Sequence, residues 1–178
     1  ADYAGAKAAC DAVINSGNYS LEANYHDNFA VENGGSTEAV FAIPNLAVGG
    51  FGLTIHMRTM HYNQLPSSPW NGFCTLADFY NSFDTANDVR SDIFLAGQQY
   101  DDAGNALTDR QGNPLSFTAT LPGITGASET DGIRVVKWAI DNGAAGGEAG
   151  NDLAVVRYAD VLLMKAECLL AEGDETGA

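Results

Sequence analysis

The stretch that decides the fold is Asn151 to Asp174, NDLAVVRYADVLLMKAECLLAEGD. Read by periodicity, it is one long helix, with Asn151 or Asp152 as its cap and Gly173 as its stop. Most of its positions are apolar. Its charges, Arg157, Asp160, Lys165, Glu167 and Glu172, are too sparse for an ordinary surface helix. Arg157 and Asp160 lie three apart and are expected to pair on one face, while Lys165 and Glu172 reach solvent at the far end. A helix this apolar has to be buried by partner helices, yet the chain stops at Ala178.

The wording of the segment carries a second signal. RYADVLLMKAECL, residues 157–169, closely resembles the R-Y-A-D-x-L-L-x-x-A-E signature of SusD-like (RagB/SusD) nutrient-binding lipoproteins of the Bacteroidetes outer membrane. The resemblance runs through most of the chain. Residues 8–21, AACDAVINSGNYSL, look like that family's helix and its following G-x-Y-x-L turn. Ser36 to Ile43, STEAVFAI, looks like its S-x-E-x-I-F-x-I strand, and Asp88-Val89-Arg90 matches its D-x-R. The final motif is specific; the others gain weight from their order.

That resemblance implies a mainly α fold, a tetratricopeptide-like helical scaffold (α/α superhelix) with a loop-rich insertion carrying short strands and a hairpin. Residues 1–43 and 151–178 would be scaffold segments and 44–150 the insertion, together one partial domain of a longer protein. It implies a glycan-binding or nutrient-binding surface lipoprotein, not an enzyme, which captures oligosaccharide for a partner SusC-like TonB-dependent outer-membrane transporter. Its lipid anchor segment would lie outside this chain. On this view the closing helix shows exposed apolar surface, unless the 1–16 helix or another chain covers it. Two rival classes stand beside it: a glycan-processing enzyme, and a structural protein-interaction module with no small ligand.

Composition narrows the partners. The 178 residues suit one domain, and 23 acidic against 8 basic residues leave a net charge of −15, which repels nucleic-acid backbones and anionic lipid. Cys10, Cys74 and Cys168 are an odd set without C-x-x-C spacing, so no disulfide framework or metal cluster is implied. Cys10 and Cys168 fall in apolar helical patterns and read as small hydrophobes.

Along the chain, Tyr3, Ala6, Ala9, Cys10 and Val13 form one face of a helix over residues 1–16, which Gly17 ends. A short helix falls within Leu21–Phe29, and Ala39–Ile43 alternates like a strand. From Pro44 to Trp70 the glycines and prolines predict loop. Leu76–Phe83 has helical spacing with Thr75 as its cap, and Phe79, Tyr80 and Phe83 read as core. Asp92–Tyr100, Leu115–Leu121 and Ile133–Ile140 read as strands, the last with Trp138 in the core. Residues 101–107 and 109–115 repeat the form D-x-x-G-N-x-L, which predicts two reversals in a surface hairpin extension. Asp141–Gly150 reads as a flexible connection.

Candidate chemistry is sparse. His56 and His61 lie five apart, not the three or four that put two ligands on one helix face, so hydrogen-bonded loop histidines are expected rather than metal ligands. Asp101, Asp102, Asn105 and Asp109 are clustered hard-oxygen donors, which makes calcium a candidate; turn chemistry explains the same letters, and no cofactor is otherwise implied. No nucleophile elbow or phosphate-cradling loop occurs. The segment from His61 to Phe83 concentrates aromatic rings with Asn63, Gln64, Asn71 and Asn81. Sugars bind where a flat ring lies beside planar hydrogen-bonding groups. Trp70, Asn71, Tyr62 and His61 are therefore the candidate ligand-binding residues.

Overall fold

The computed structural model describes residues 1–123, 125–141 and 147–178. They form two compact units: Ala1–Asn45 with Asn151–Ala178, and Leu46–Gly150.

In the first unit, helix α1 (Tyr3–Asn15) starts where the Asp2 carboxylate accepts the Gly5 N–H at 2.9 Å. A 3₁₀ turn covers Tyr25–Phe29, and strand β1 is Ala39–Ile43. The closing stretch corrects the single-helix expectation. Leu153–Arg157 forms a strand antiparallel to β1, with Ala42 opposite Ala154 and Ile43 opposite Leu153. Only Tyr158–Glu172 is helix, ending at Gly173 with φ 86°. Asn151 and Asp152 do not cap it. The buried Asn151 side chain donates to the carbonyls of Phe29 and Ala30, and Asp152 accepts the Asn45 N–H at 2.9 Å. The β-branched pair Val155–Val156 and an open edge on β1 favour pairing over one more helical turn.

The helix of Tyr158–Glu172 lies against α1. Cys10 and Cys168 are buried, as apolar thiols are expected to be. Lys165 and Glu172 reach across to α1 instead of pointing only to solvent: Lys165 meets Asp11 at 2.7 Å and Glu172 meets Lys7 at 3.9 Å. Partly exposed pairs of this kind contribute little to stability. Tyr3, Cys10, Val13, Val40, Val156 and Met164 line an apolar groove of about 480 Å³. Leu163 and Leu170 point outward, 70% and 56% exposed, so the helix is only partly covered within its unit.

Arg157 and Asp160 do not pair through their side chains. The Asp160 carboxylate accepts the Arg157 backbone N–H at 2.8 Å and so caps the helix, while the guanidinium turns to Glu38. Glu38, 3% exposed, also accepts from the Glu22 N–H and the Asn28 side-chain amide, each at 3.0 Å, and its carbonyl accepts from the Tyr158 N–H.

In the second unit, described residues form helix α2 (Ile55–Thr59), helix α3 (Ala77–Asn81) and four two-residue strands: β2 (Phe94–Leu95), β3 (Gly97–Gln98), β4 (Ser116–Phe117) and β5 (Arg134–Val135). We number the strand of the first unit, Leu153–Arg157, β6 and the helix Tyr158–Glu172 α4. The pairs are β2 with β5 and β3 with β4, both antiparallel. The span 92–100 is not one strand: Asp92 and Ile93 close a 3₁₀ turn over Val89–Ile93, and after Leu95 the chain changes partner at Gly97, which sits at φ 68°. Residues 133–140 form a strand only at Arg134–Val135, with Ile133 in a single bridge to Thr75, and Trp138 is half-buried rather than core. Helix α2 interrupts the expected loop. Thr75 does not cap α3: it exchanges backbone hydrogen bonds with Ile133, and α3 has no side-chain cap.

Leu53, Met57, Ile93, Leu115, Phe117 and Ile133 are the core here. Phe79 is 52% exposed and joins Tyr80 and Phe83 in an edge-on cluster about Phe94, with centroids 5.0–5.9 Å apart, so these rings form a surface cluster instead of core. Ala149 is fully buried and bridges Leu53; residues 142–146 of the expected connection lie outside the described residues.

Both D-x-x-G-N-x-L segments are the turns their letters predict. Asp101 accepts the N–H groups of Ala103 and Asn105 at 3.0 and 2.8 Å, and Asp109 those of Gln111 and Asn113 at 2.9 and 2.8 Å. Gly104 and Gly112 sit at φ 83° and 87°. A ring of three backbone bonds ties the repeats together: Gln99 N–H to Leu115, Leu107 N–H to Gln99, and Leu115 N–H to Leu107, at 2.8–2.9 Å.

Candidate functional site

Helix α2 ends at Thr59, and the chain then runs through Met60 and His61 to Ser67 before Trp70 and Asn71. His61 has no exposed surface. Its Nδ1 accepts the Asn63 N–H at 3.1 Å, which leaves Nε2 to carry the proton and donate to Glu129 Oε2 at 2.8 Å. Arg110 Nε and Gln111 Nε2 donate to the other oxygen of Glu129, at 2.8 and 3.0 Å. Burial raises the pKa of that carboxyl, but the hydrogen bonds from Gln111, His61 and Arg110 outweigh it and bring it down to about 2. The Arg110 guanidinium also stacks 4.0 Å from the centre of the Tyr62 ring.

Asn71, at φ 51°, donates to the Glu129 carbonyl at 3.0 Å and accepts from Arg134 Nε at 2.9 Å. Arg134 is 2% exposed, and its remaining N–H groups go to the carbonyls of Glu129, Asp131 and Gly132. It stacks on Phe117 at 4.5 Å, and burial pushes its pKa down. His61 and Asn71 thus converge on Glu129, with Tyr62 joined to it through Arg110, and no local pattern distinguishes Glu129 from the chain's other acids. Trp70 stands apart from them. It is 49% exposed, with Arg58 5.3 Å from its ring centre.

The open space lies beside this clamp. A cleft of about 830 Å³ is lined by Asn63, Gln64, Leu65, Pro66 and Ser67 from the same loop, by His56 and Met60 of the α2 region, and by Tyr100, Asp101, Asp102, Ala103 and Leu107 of the first turn repeat, with Ile140 and Asp141. Tyr100 is 60% exposed. Asn63 Nδ2 holds the Thr108 carbonyl at 2.7 Å and Gln64 Nε2 reaches the Gln99 side chain at 3.3 Å, so both amides have fixed orientations. His56 is buried; desolvation lowers its pKa, against a smaller opposing pull from Asp141. One exposed ring, oriented amides and an apolar floor of Met60, Leu65 and Leu107 suit a polyhydroxylated ligand.

None of Trp70, Asn71, Tyr62 and His61 lines the cleft, although their neighbours Asn63 and Gln64 do. Tyr100 is not among the residues that the sequence singles out; the signal for it is its place immediately before the first D-x-x-G-N turn. Among the described residues no three His, Cys, Asp or Glu side chains gather to hold a metal. The Asp101 and Asp109 oxygens are engaged by their own turns and by Asn105 and Asn113.

Residues 11–178 match the model of the SusD family. No curated protein matches the chain. Among solved structures, surface glycan-binding protein A from Bacteroides fluxus is similar at 20% identity and TM-score 0.68, over 99% of this chain and 37% of that one. Surface glycan-binding protein A from Bacteroides thetaiotaomicron in complex with laminarihexaose is similar at 22% identity and TM-score 0.62, over 95% and 39%. A SusD superfamily protein from Bacteroides fragilis gives 20% identity and TM-score 0.65, over 99% and 36%. The chain therefore spans little more than a third of the length of these relatives.

Proposed function

The chain belongs to the SusD family, and on that footing we propose that it is the ligand-capturing part of a glycan-binding surface protein, one that binds oligosaccharide rather than cleaving it. The observation that carries this reading is the cleft that sets Tyr100 beside the held amides of Asn63 and Gln64. A related fold bearing the name surface glycan-binding protein A is solved with laminarihexaose, which supports a saccharide as the ligand class.

In this reading Tyr100 is the stacking platform and Trp70 a second contact, on its exposure. Tyr62, His61 and Asn71 hold the 61–71 loop against Glu129 and so fix Asn63 and Gln64. Family membership supports the finer assignments: a surface lipoprotein on the outer membrane that hands its glycan to a SusC-like TonB-dependent transporter. It also supports α1 and α4, with Leu163 and Leu170 outward, as parts of a tetratricopeptide-like superhelix. Among the described residues no helix is long and apolar enough to cross a membrane.

Native gel retardation in a panel of polysaccharides that includes laminarin tests the binding. Tyr100→Ala is expected to weaken retardation by about tenfold in affinity, roughly 1.4 kcal/mol, and Trp70→Ala by less. Retardation by no polysaccharide, or new reducing ends on incubation, contradicts the reading.

A further inference from the structure

The lining of the cleft is lopsided in charge. It carries Asp101, Asp102 and Asp141 and neither Lys nor Arg. The residues that follow Asp141 in the sequence, Asn-Gly-Ala-Ala-Gly, carry no charged side chain. His56 contributes none near neutral pH, because burial lowers its pKa. The arginines of Leu46–Gly150 are directed elsewhere: Arg110 to Glu129, Arg134 to backbone carbonyls, Arg90 to Asp88 and Arg58 to the Trp70 ring. A carboxylate or sulfate on a sugar would thus enter the cleft without a cation to meet it.

We infer that the cleft, if it captures glycans as proposed above, selects by charge: neutral and amino-sugar oligomers bind, and uronate-bearing or sulfated ones are turned away. Each carboxylate a few ångströms from a sugar anion biases binding by roughly threefold in water-like surroundings, so three together disfavour the anion by at least about tenfold at low salt. Salt weakens the bias by screening. The amides of Asn63 and Gln64 and the Tyr100 ring are indifferent to charge, so affinity and selection rest on different residues.

The test takes the polysaccharide that retards the 178-residue chain most and compares it with the same polymer oxidised at C6 to the uronate. The unmodified polymer is expected to retard at least about tenfold better at 20 mM salt, with the gap shrinking at 500 mM. Asp102→Asn with Asp141→Asn is expected to close most of the gap, while Glu32→Gln with Glu175→Gln, an equal change of net charge outside the cleft, leaves it. Equal retardation by the oxidised polymer, retardation by anionic polymers alone, or an equal response to both pairs of substitutions overturns the charge selection while glycan binding stands. Retardation by no polymer removes the glycan reading itself, and the inference with it.

Discussion

Arg157 Nη1 donates to Glu38 Oε1 at 2.8 Å, so the first residue of the R-Y-A-D motif is joined to the glutamate of the S-x-E motif 119 residues earlier. The two side chains are 16% and 4% exposed. Glu38 also takes the Asn28 amide and the Glu22 N–H, and Arg157 lies 5.3 Å from the Phe29 ring centre. Such a pair contributes little over an apolar substitute, but leaving one member buried alone is costly.

Glu38→Ala and Arg157→Ala are therefore each expected to lower the free energy of unfolding by about 3 kcal/mol. The double variant should lose much less than the sum of the two, since neither charge is then stranded. Urea midpoints measured on the three variants decide it; additive losses would show that the two side chains do not act as a pair.

Glu129 predicts how stability depends on acid. Its folded pKa, about 2, lies below the ordinary value of 4.5. A depressed carboxyl contributes stability that is complete above the ordinary value and is lost as pH falls through the folded one. Wild type should accordingly weaken between pH 4.5 and 2 by more than Glu129→Gln does, while the variant is already weaker at pH 7. Parallel acid limbs for the two proteins would rule out this clamp.

Gly132 sits at φ 80°, and a β-carbon there would come 2.7 Å from Cys74 Cβ and closer still to its sulfur. Gly132→Ala is expected to cost about 2 kcal/mol from backbone strain and crowding. Cys74→Ala in the same chain should return part of it. Thermal melts of both variants check this, and an unchanged melting temperature for Gly132→Ala contradicts the packing described.

Much of this architecture was legible from local letters, and the misses have physical causes. Helix α1, β1, the Gly173 stop and both D-x-x-G-N turns follow from caps, alternation and positive-φ residues, all settled within a few positions. The strand at Leu153–Arg157 was hidden because its five apolar or long side chains continue the helical pattern of α4; only its pairing with β1, more than a hundred residues away, decides otherwise. The surface aromatic cluster around Phe94 resembled a core because helical spacing does not say what covers a face.

The candidate site divides the same way. His61, Tyr62 and Asn71 belong together, yet what unites them is Glu129, 58 to 68 residues on in the chain. Its side chain looks like any of 23 acids until its partners are placed. The cleft itself arises from loop 63–67 meeting the first turn repeat, a juxtaposition no spacing rule encodes.

Saccharide in this cleft is proposed to lie against Tyr100. The most direct measurement is a set of NMR titrations of the 178-residue chain with oligomers of whichever glycan retards it. Saturable shifts of the Tyr100 ring and of the Asn63 and Gln64 side-chain amides are expected, absent in Tyr100→Ala. Shifts confined to the aromatic cluster around Phe94, with Tyr100 and both amides unmoved, would contradict it.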